Sequence, residues 1–241
     1  MAPLRTAPRR TAAAAALGAA LAVALGGCVA GPGGPTSARD VEVGDVHAVD
    51  LATGGDLTVR RGDRPGLTIT ASERTHDRLV VEERDGVLHL GAEDRLFGGL
   101  GDVAYELVLP QLDEVAVSGS GDVELVDVTG GRLRVLVEGS GSLSATGVAA
   151  DRVDVTVEGS GGVELAGRAG AADLSIEGSG DLDLEDLRLE EANVSVEGSG
   201  DAEVSVRDRL AVSISGSGTV RYTGDPRVEQ DVSGSGSVER G

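Results

Sequence analysis

The chain has 241 residues, with 41 acidic against 21 basic side chains and a net charge of −20 at pH 7. All of its basic residues are arginine, and a surface this acidic repels nucleic acid and anionic headgroups, so no nucleic-acid partner is expected. Aromatic residues make up 1% of the chain and there is one cysteine, which excludes an aromatic-rich core and an internal disulfide.

Residues 1–27 open with Arg5, Arg9 and Arg10 and continue through an alanine- and leucine-rich run to Leu25-Gly26-Gly27. A basic start, an apolar middle and small residues before a cleavage point make a secretory signal. Cys28 follows at the position of a bacterial lipobox, so by likeness to bacterial lipoproteins it is the expected lipidation site and first mature residue. Removing the signal leaves 18 arginines against all 41 acids, a net charge of −23. Residues 28–39, rich in Gly, Pro, Ser and Ala, read as a flexible tether to a membrane lipid anchor.

A single β-helix domain is expected over 40–241, irregular over 40–114 and regular over 115–241. The irregular part still alternates like strands at 46–51, 56–59, 67–70, 79–81, 87–90 and 103–109, with Asp85-Gly86 as a hairpin turn. No segment has a 3.6-residue period, so almost no helix is expected, and this part should form the first coils or a cap on the stack.

From residue 115 onward one tripeptide returns seven times: Gly119-Ser120-Gly121, Gly139-Ser140-Gly141, Gly159-Ser160-Gly161, Gly178-Ser179-Gly180, Gly198-Ser199-Gly200, Gly216-Ser217-Gly218 and Gly234-Ser235-Gly236. The spacings are 20, 20, 19, 20, 18 and 18 residues. Apolar residues alternate before each tripeptide, as in Val153, Val155 and Val157, and again after it, as in Val163 and Leu165. Period two means strand, so each repeat reads as two short strands joined at a Gly-Ser-Gly corner. Such a unit cannot bury its apolar face alone, and stacking on the next coil makes a parallel β-helix, a solenoid with coils of about 18–20 residues. The glycines suit a corner that needs positive φ and close approach of the next coil. The serines would stack as a ladder of corner hydrogen-bond donors and acceptors.

Stacking also makes carboxylate columns, from Glu138, Glu158, Glu177 and Glu197 before the corners and from Asp122, Asp181 and Asp201 after them. Like charges one coil apart repel by roughly 0.9 kcal/mol per pair in a water-like dielectric, which a bound calcium ion would relieve. The acid is replaced at Ser142, Gly162, Thr219 and Ser237, which favours a solvated acidic face over a structural calcium site. No other cofactor is implied. His47, His76 and His89 lack metal-ligand spacing. No serine sits in a Gly-x-Ser-x-Gly elbow, so no catalytic residue is assigned. The outward column Leu136, Thr156, Ser175, Ser195, Ser213 and Asp231 is a flat polar strip, either the wet side of a strand or a recognition surface for an envelope glycan or protein.

Three stretches carry a family resemblance. They are Val108-Leu109-Pro110-Gln111-Leu112-Asp113-Glu114-Val115 leading into Val117-Ser118-Gly119-Ser120-Gly121, the recurring Glu-Gly-Ser-Gly, and Tyr222-Thr223-Gly224-Asp225-Pro226 followed by Val232-Ser233-Gly234-Ser235-Gly236-Ser237-Val238. Over roughly 43–239 the chain resembles the "putative auto-transporter adhesin, head GIN domain" family. The resemblance implies a right-handed β-helix at the cell surface or in the periplasm, often on a lipoprotein, and supplies no catalytic residues. The expectation is a lipid-anchored envelope protein that presents a binding or adhesion surface. The alternatives are an envelope-stress or lipid-sensing accessory protein, from the likeness of the fold to envelope-associated toast-rack domains, and a polysaccharide-active β-helix enzyme.

Overall fold

The computed structural model describes residues 35–93 and 100–241. The strands in chain order are β1 (Thr36–Val41), β2 (Ala48–Leu51), β3 (Asp56–Arg61), β4 (Gly66–Ser72), β5 (Leu79–Arg84), β6 (Val87–Ala92), β7 (Val103–Leu109), β8 (Glu114–Val117) and β9 (Asp122–Val126). The regular part continues with β10 (Thr129–Gly139), β11 (Ser142–Gly159), β12 (Gly162–Gly178), β13 (Asp181–Gly198), β14 (Ala202–Gly216), β15 (Thr219–Thr223), β16 (Arg227–Gly234) and β17 (Ser237–Arg240). Each lies parallel to its equivalent in the next coil, which makes a β-solenoid with six turns between the first and last Gly-Ser-Gly corner.

The register keeps the inward alternation in line. Val115, Val135, Val155, Leu174, Val194 and Val212 form one column, and Val123, Leu143, Val163 and Leu182 form another across the corner. All are buried, and each buried Val or Leu contributes about 1.5–3 kcal/mol. The strands between corners are longer than the sequence reading had them. β11 runs unbroken from one corner to the next, bending near Gly147 (φ 71). That bend opens a third side, whose core residues include Val148, Leu187, Leu189 and Val206. Differences in coil length are absorbed there: the register shifts between Ala145 and Val148 and between Leu184 and Arg188, while the apolar columns stay in line. A one-residue slip inside a column would turn every buried side chain outward, whereas a slip at a bend costs little.

The irregular part is both first coil and cap. β2 and β3 lie parallel on β8 and β9, and β6 and β7 lie parallel on β2 and β3. The direction then reverses: β5 pairs antiparallel with β6, β4 with β7, and β1 with β4. The β5–β6 hairpin turns at Asp85 (φ 52) and Gly86 (φ 80), the two positive φ values that a tight two-residue turn needs. A single helical turn, α1 (Glu73–His76), is capped by Ser72, whose hydroxyl accepts from the Thr75 N–H at 3.3 Å.

β1 begins at Thr36, inside the stretch read as tether. Its polar side chains explain this, because they bind the cap: Arg39 pairs with Glu73 at 2.6 Å, the Ser37 hydroxyl donates to Glu73, and Thr68 donates to Asp40. The Ser37 and Arg39 contacts hold the Glu73 carboxyl below its usual range.

Candidate functional site

At each corner the backbone carries the hydrogen bonding. The N–H of Ser160, Ser179, Ser199, Ser217 and Ser235 donates to the carbonyl of the first glycine of the preceding corner at 2.8–2.9 Å. All seven corner serines are exposed, so their side chains form the outward ladder while their amides join the coils. The glycines are required for two different reasons, shown at one corner. Gly178 has φ +135, and Gly180 is buried with space for no Cβ, which would fall on the Gly161 carbonyl oxygen and 2.5 Å from Val157 Cγ1.

The post-corner carboxylates have a definite task. Asp122 Oδ1 accepts from the Ser142 N–H at 3.2 Å, Asp181 Oδ1 from the Asp201 N–H at 3.3 Å, and Asp201 Oδ1 from the Thr219 N–H at 2.7 Å. Each binds the next coil just after its corner. The pre-corner column is different. Glu138, Glu158, Glu177 and Glu197 are in register on successive coils, and all four are exposed. Among the described residues, no group of three or more His, Cys, Asp or Glu side chains is arranged to hold a metal ion. Cys28 lies outside the described residues.

On the outward face of the strands before the corners runs a shallow trough of about 590 Å³. Its floor is the outward row Thr156, Ser175, Ser195 and Ser213, in register and ending at Asp231. Short side chains there leave the strand surface open. One side is bordered by Asp154, Asp173 and Asn193, two residues earlier in each strand. This side is fixed by contacts: Arg132 and Arg152 both bind Asp154, Arg152 also binds Asp173, and Asn193 Nδ2 donates to Asp173 at 2.7 Å. Burial pushes the Asp154 carboxyl up, but the hydrogen bonds and charges of the two arginines outweigh it and hold the group below its usual range. The outward polar strip therefore forms the floor of this open hollow from Thr156 onward. Leu136 occupies the equivalent row one coil before Thr156 and lies outside the trough. Sequence reading missed the Arg132–Asp154–Arg152–Asp173 chain, whose only signal was alternation of charge at two-residue spacing.

Two further arrangements bear on chemistry. Ser118, Asp50 and His89 meet on the outer face of the first coils, where Asp50 accepts from the Ser118 hydroxyl at 2.9 Å and lies 3.2 Å from His89 Nδ1. The hydroxyl is thus bonded to the carboxylate, and the imidazole is not placed to take its proton, as an activated nucleophile needs. Asp181 and Asp183 line a second open hollow with Asp122 and Glu164, on the face after the corners.

Solved structures share the fold. A "putative adhesin" from Bacteroides fragilis matches with a TM-score of 0.81 and 22% identity, covering 85% of this chain and 96% of that one. A "putative lipid binding protein" from Parabacteroides distasonis matches with a TM-score of 0.72 and 22% identity, covering 86% and 96%. A "putative adhesin" from Parabacteroides merdae matches with a TM-score of 0.66 and 23% identity over the same shares. A comparison with curated proteins finds no match. The model of the family described as "Putative auto-transporter adhesin, head GIN domain" matches residues 45–226, well over half of the sequence, and the chain belongs to that family.

Proposed function

We propose that this protein is exported, held to the cell envelope through a lipidated Cys28, and works without catalysis by presenting the axial trough of its solenoid to an extended, hydroxyl-rich envelope glycan. The observation that carries this reading is the in-register floor of Thr156, Ser175, Ser195 and Ser213 beside the row Asp154, Asp173 and Asn193. Each coil offers the same hydroxyl at the same height, so successive sugars of a repeating polymer meet equivalent hydrogen-bonding groups. The acidic surface of the chain as a whole favours neutral or amino sugars and repels anionic ones. The adhesin description of the family and of two of the solved neighbours supports a surface-binding role.

The anchor fits the geometry of the cap. Eight peptide units separate Cys28 from Thr36, a reach of at most about 28 Å, so the cap end faces the membrane and the trough is carried away from it. Metabolic labelling with a fatty acid would mark the wild type and leave Cys28→Ser unlabelled; equal labelling of both would remove the anchor.

The binding test is calorimetric titration of the mature chain with neutral and amino-sugar oligosaccharides of increasing length. Affinity should rise with length while additional coils are engaged, and Ser195→Arg, which fills the trough, should abolish it. Silence across the panel, or equal binding by the Ser195→Arg protein, refutes the reading.

A further inference from the structure

We infer that a second binding site, for a phosphate or a related tetrahedral oxyanion, lies on the third side of the solenoid around Arg168 and Arg188. The register places Ala149, Arg168, Arg188 and Ser205 in one column, so the two arginines stand one coil apart, roughly 4.8 Å at the backbone. Both are exposed, and among the described residues neither has an ion-pair or hydrogen-bond partner for its guanidinium.

This is conspicuous in a chain with 41 acids and 21 arginines. Elsewhere in the regular coils, over residues 115–241, each arginine binds a nearby carboxylate. Arg152 takes Asp154 and Asp173, Arg207 takes Asp208 and Glu190, and Arg221 takes Glu203 and Glu239. Arg188 has Asp186 and Glu190 two residues to either side and binds neither. Two like charges directly opposite on neighbouring strands destabilise a sheet, so the pair is not there to hold the coils together.

The pair borders a hollow of about 810 Å³. Ala169 and Gly170 leave its floor without bulk, and Ser205 adds a hydroxyl donor in the same column. Of the three carboxylates on the rim, Glu190 is taken by Arg207 at 3.3 Å and Asp225 by Arg240 at 3.3 Å, leaving Asp151. The Arg168, Arg188 and Ser205 column thus presents donors and positive charge with no carboxylate in it. Planar guanidinium forks match the oxygens of a phosphate in bidentate fashion, and two forks one strand spacing apart can share one group. The ligand class is a phosphate ester, carried by a soluble phosphorylated polymer or by a lipid headgroup. The acidic remainder of the surface opposes it, so binding is salt-sensitive and confined to this face.

The test is titration of the full-length protein with inorganic phosphate at constant ionic strength, beside the Arg168→Gln/Arg188→Gln double variant and an Arg60→Gln control. Arg60 is another exposed arginine, on β3 and remote from the hollow. A parallel arm compares sedimentation with phosphatidylglycerol vesicles and with phosphate-free glycolipid vesicles. We expect phosphate affinity to fall roughly tenfold or more in the double variant, the scale of losing charge-assisted hydrogen bonds, with Arg60→Gln unchanged. Binding to phosphatidylglycerol vesicles alone, lost in the double variant, would also support the site and identify a headgroup as its source. Absence of binding to both inorganic phosphate and phosphatidylglycerol vesicles, or binding that the double variant retains, overturns it. Unchanged circular dichroism of the double variant keeps a loss from being ascribed to unfolding. The site shares no residue with the trough, so failure of one reading leaves the other standing.

Discussion

Replacing Gly180 by alanine places a methyl group where two coils already touch. Its Cβ would sit on the carbonyl oxygen of Gly161 and 2.5 Å from Val157 Cγ1, and the residue is buried, so backbone must move. Overpacking of that kind costs about 1–3 kcal/mol. Parting the coils also strains the Ser179 N–H to Gly159 bond (2.8 Å) and the Asp181 N–H to Gly161 bond (3.2 Å), each contributing about 0.5–1.5 kcal/mol. The expected loss is about 2–4 kcal/mol. Gly178→Ala should reach a similar loss by another route, since φ +135 is closed to side chains and strain there costs about 1–3 kcal/mol before its own clash with Gly159 is counted. Ser179→Ala, between them and exposed, should stay within about 0.5 kcal/mol. Urea unfolding followed by far-ultraviolet circular dichroism measures all three. Because a solenoid is held by nearest-neighbour interfaces, the glycine variants should also lower the m-value as the two halves uncouple. A Gly180→Ala protein as stable as the wild type, or a Ser179→Ala protein as damaged as the glycine variants, would refute the assignment of corner stability to backbone approach.

Asp201→Ala removes the acceptor of the Thr219 N–H and should cost about 1 kcal/mol in the same unfolding assay, whereas Asp201→Asn, which keeps an oxygen there, should cost less than half of that. The depressed Asp154 pKa makes its contribution present above the ordinary carboxylate value of about 3.9 and lost as pH falls through the folded value; stability measured from roughly pH 5 down to pH 2 should therefore decline less steeply in Asp154→Asn. In thermal melts calcium should raise the midpoint no more than sodium chloride of equal ionic strength, and a large calcium-specific rise would make the glutamate column a cation site.

The regular half of the molecule was readable because two independent periods coincide in it. Alternation fixes which side chain of Val153-Asp154-Val155 points inward, and the tripeptide spacing fixes where the coil turns, so register follows from both. The cap lacked the second signal. Its strands were visible one by one, but their reversal to antiparallel at β4 and β5 depends on pairings between residues far apart, such as Ile69 with Tyr105, that no local pattern encodes. β1 was hidden because Ser37, Arg39 and Asp40 make their contacts through polar side chains, and polarity in a Gly- and Pro-rich stretch reads as linker. The third side escaped notice for a physical reason as well: coil length varies there, so its residues drift in sequence while staying aligned in space. Arg168 and Arg188 are 20 residues apart, whereas Arg188 and Ser205 are only 17.

The electrostatics separate what the columns do. Asp122, Asp181 and Asp201 give their oxygens to backbone amides one coil on, so their charge is tied to a structural task. Glu138, Glu158, Glu177 and Glu197 form no such bonds among the described residues, yet they stand at strand spacing on four successive coils. Each neighbouring pair costs roughly 0.9 kcal/mol of repulsion at that distance in water-like dielectric, less when salt screens it. The Gly-Ser-Gly corner does not require the acid, because Ser215 and Ser233 hold the same place before the last two corners without disturbing the parallel register. What repeats along the hollow is one hydroxyl per coil, at Thr156, Ser175, Ser195 and Ser213, so that a contact too weak to matter in one coil recurs in register for any ligand long enough to span several.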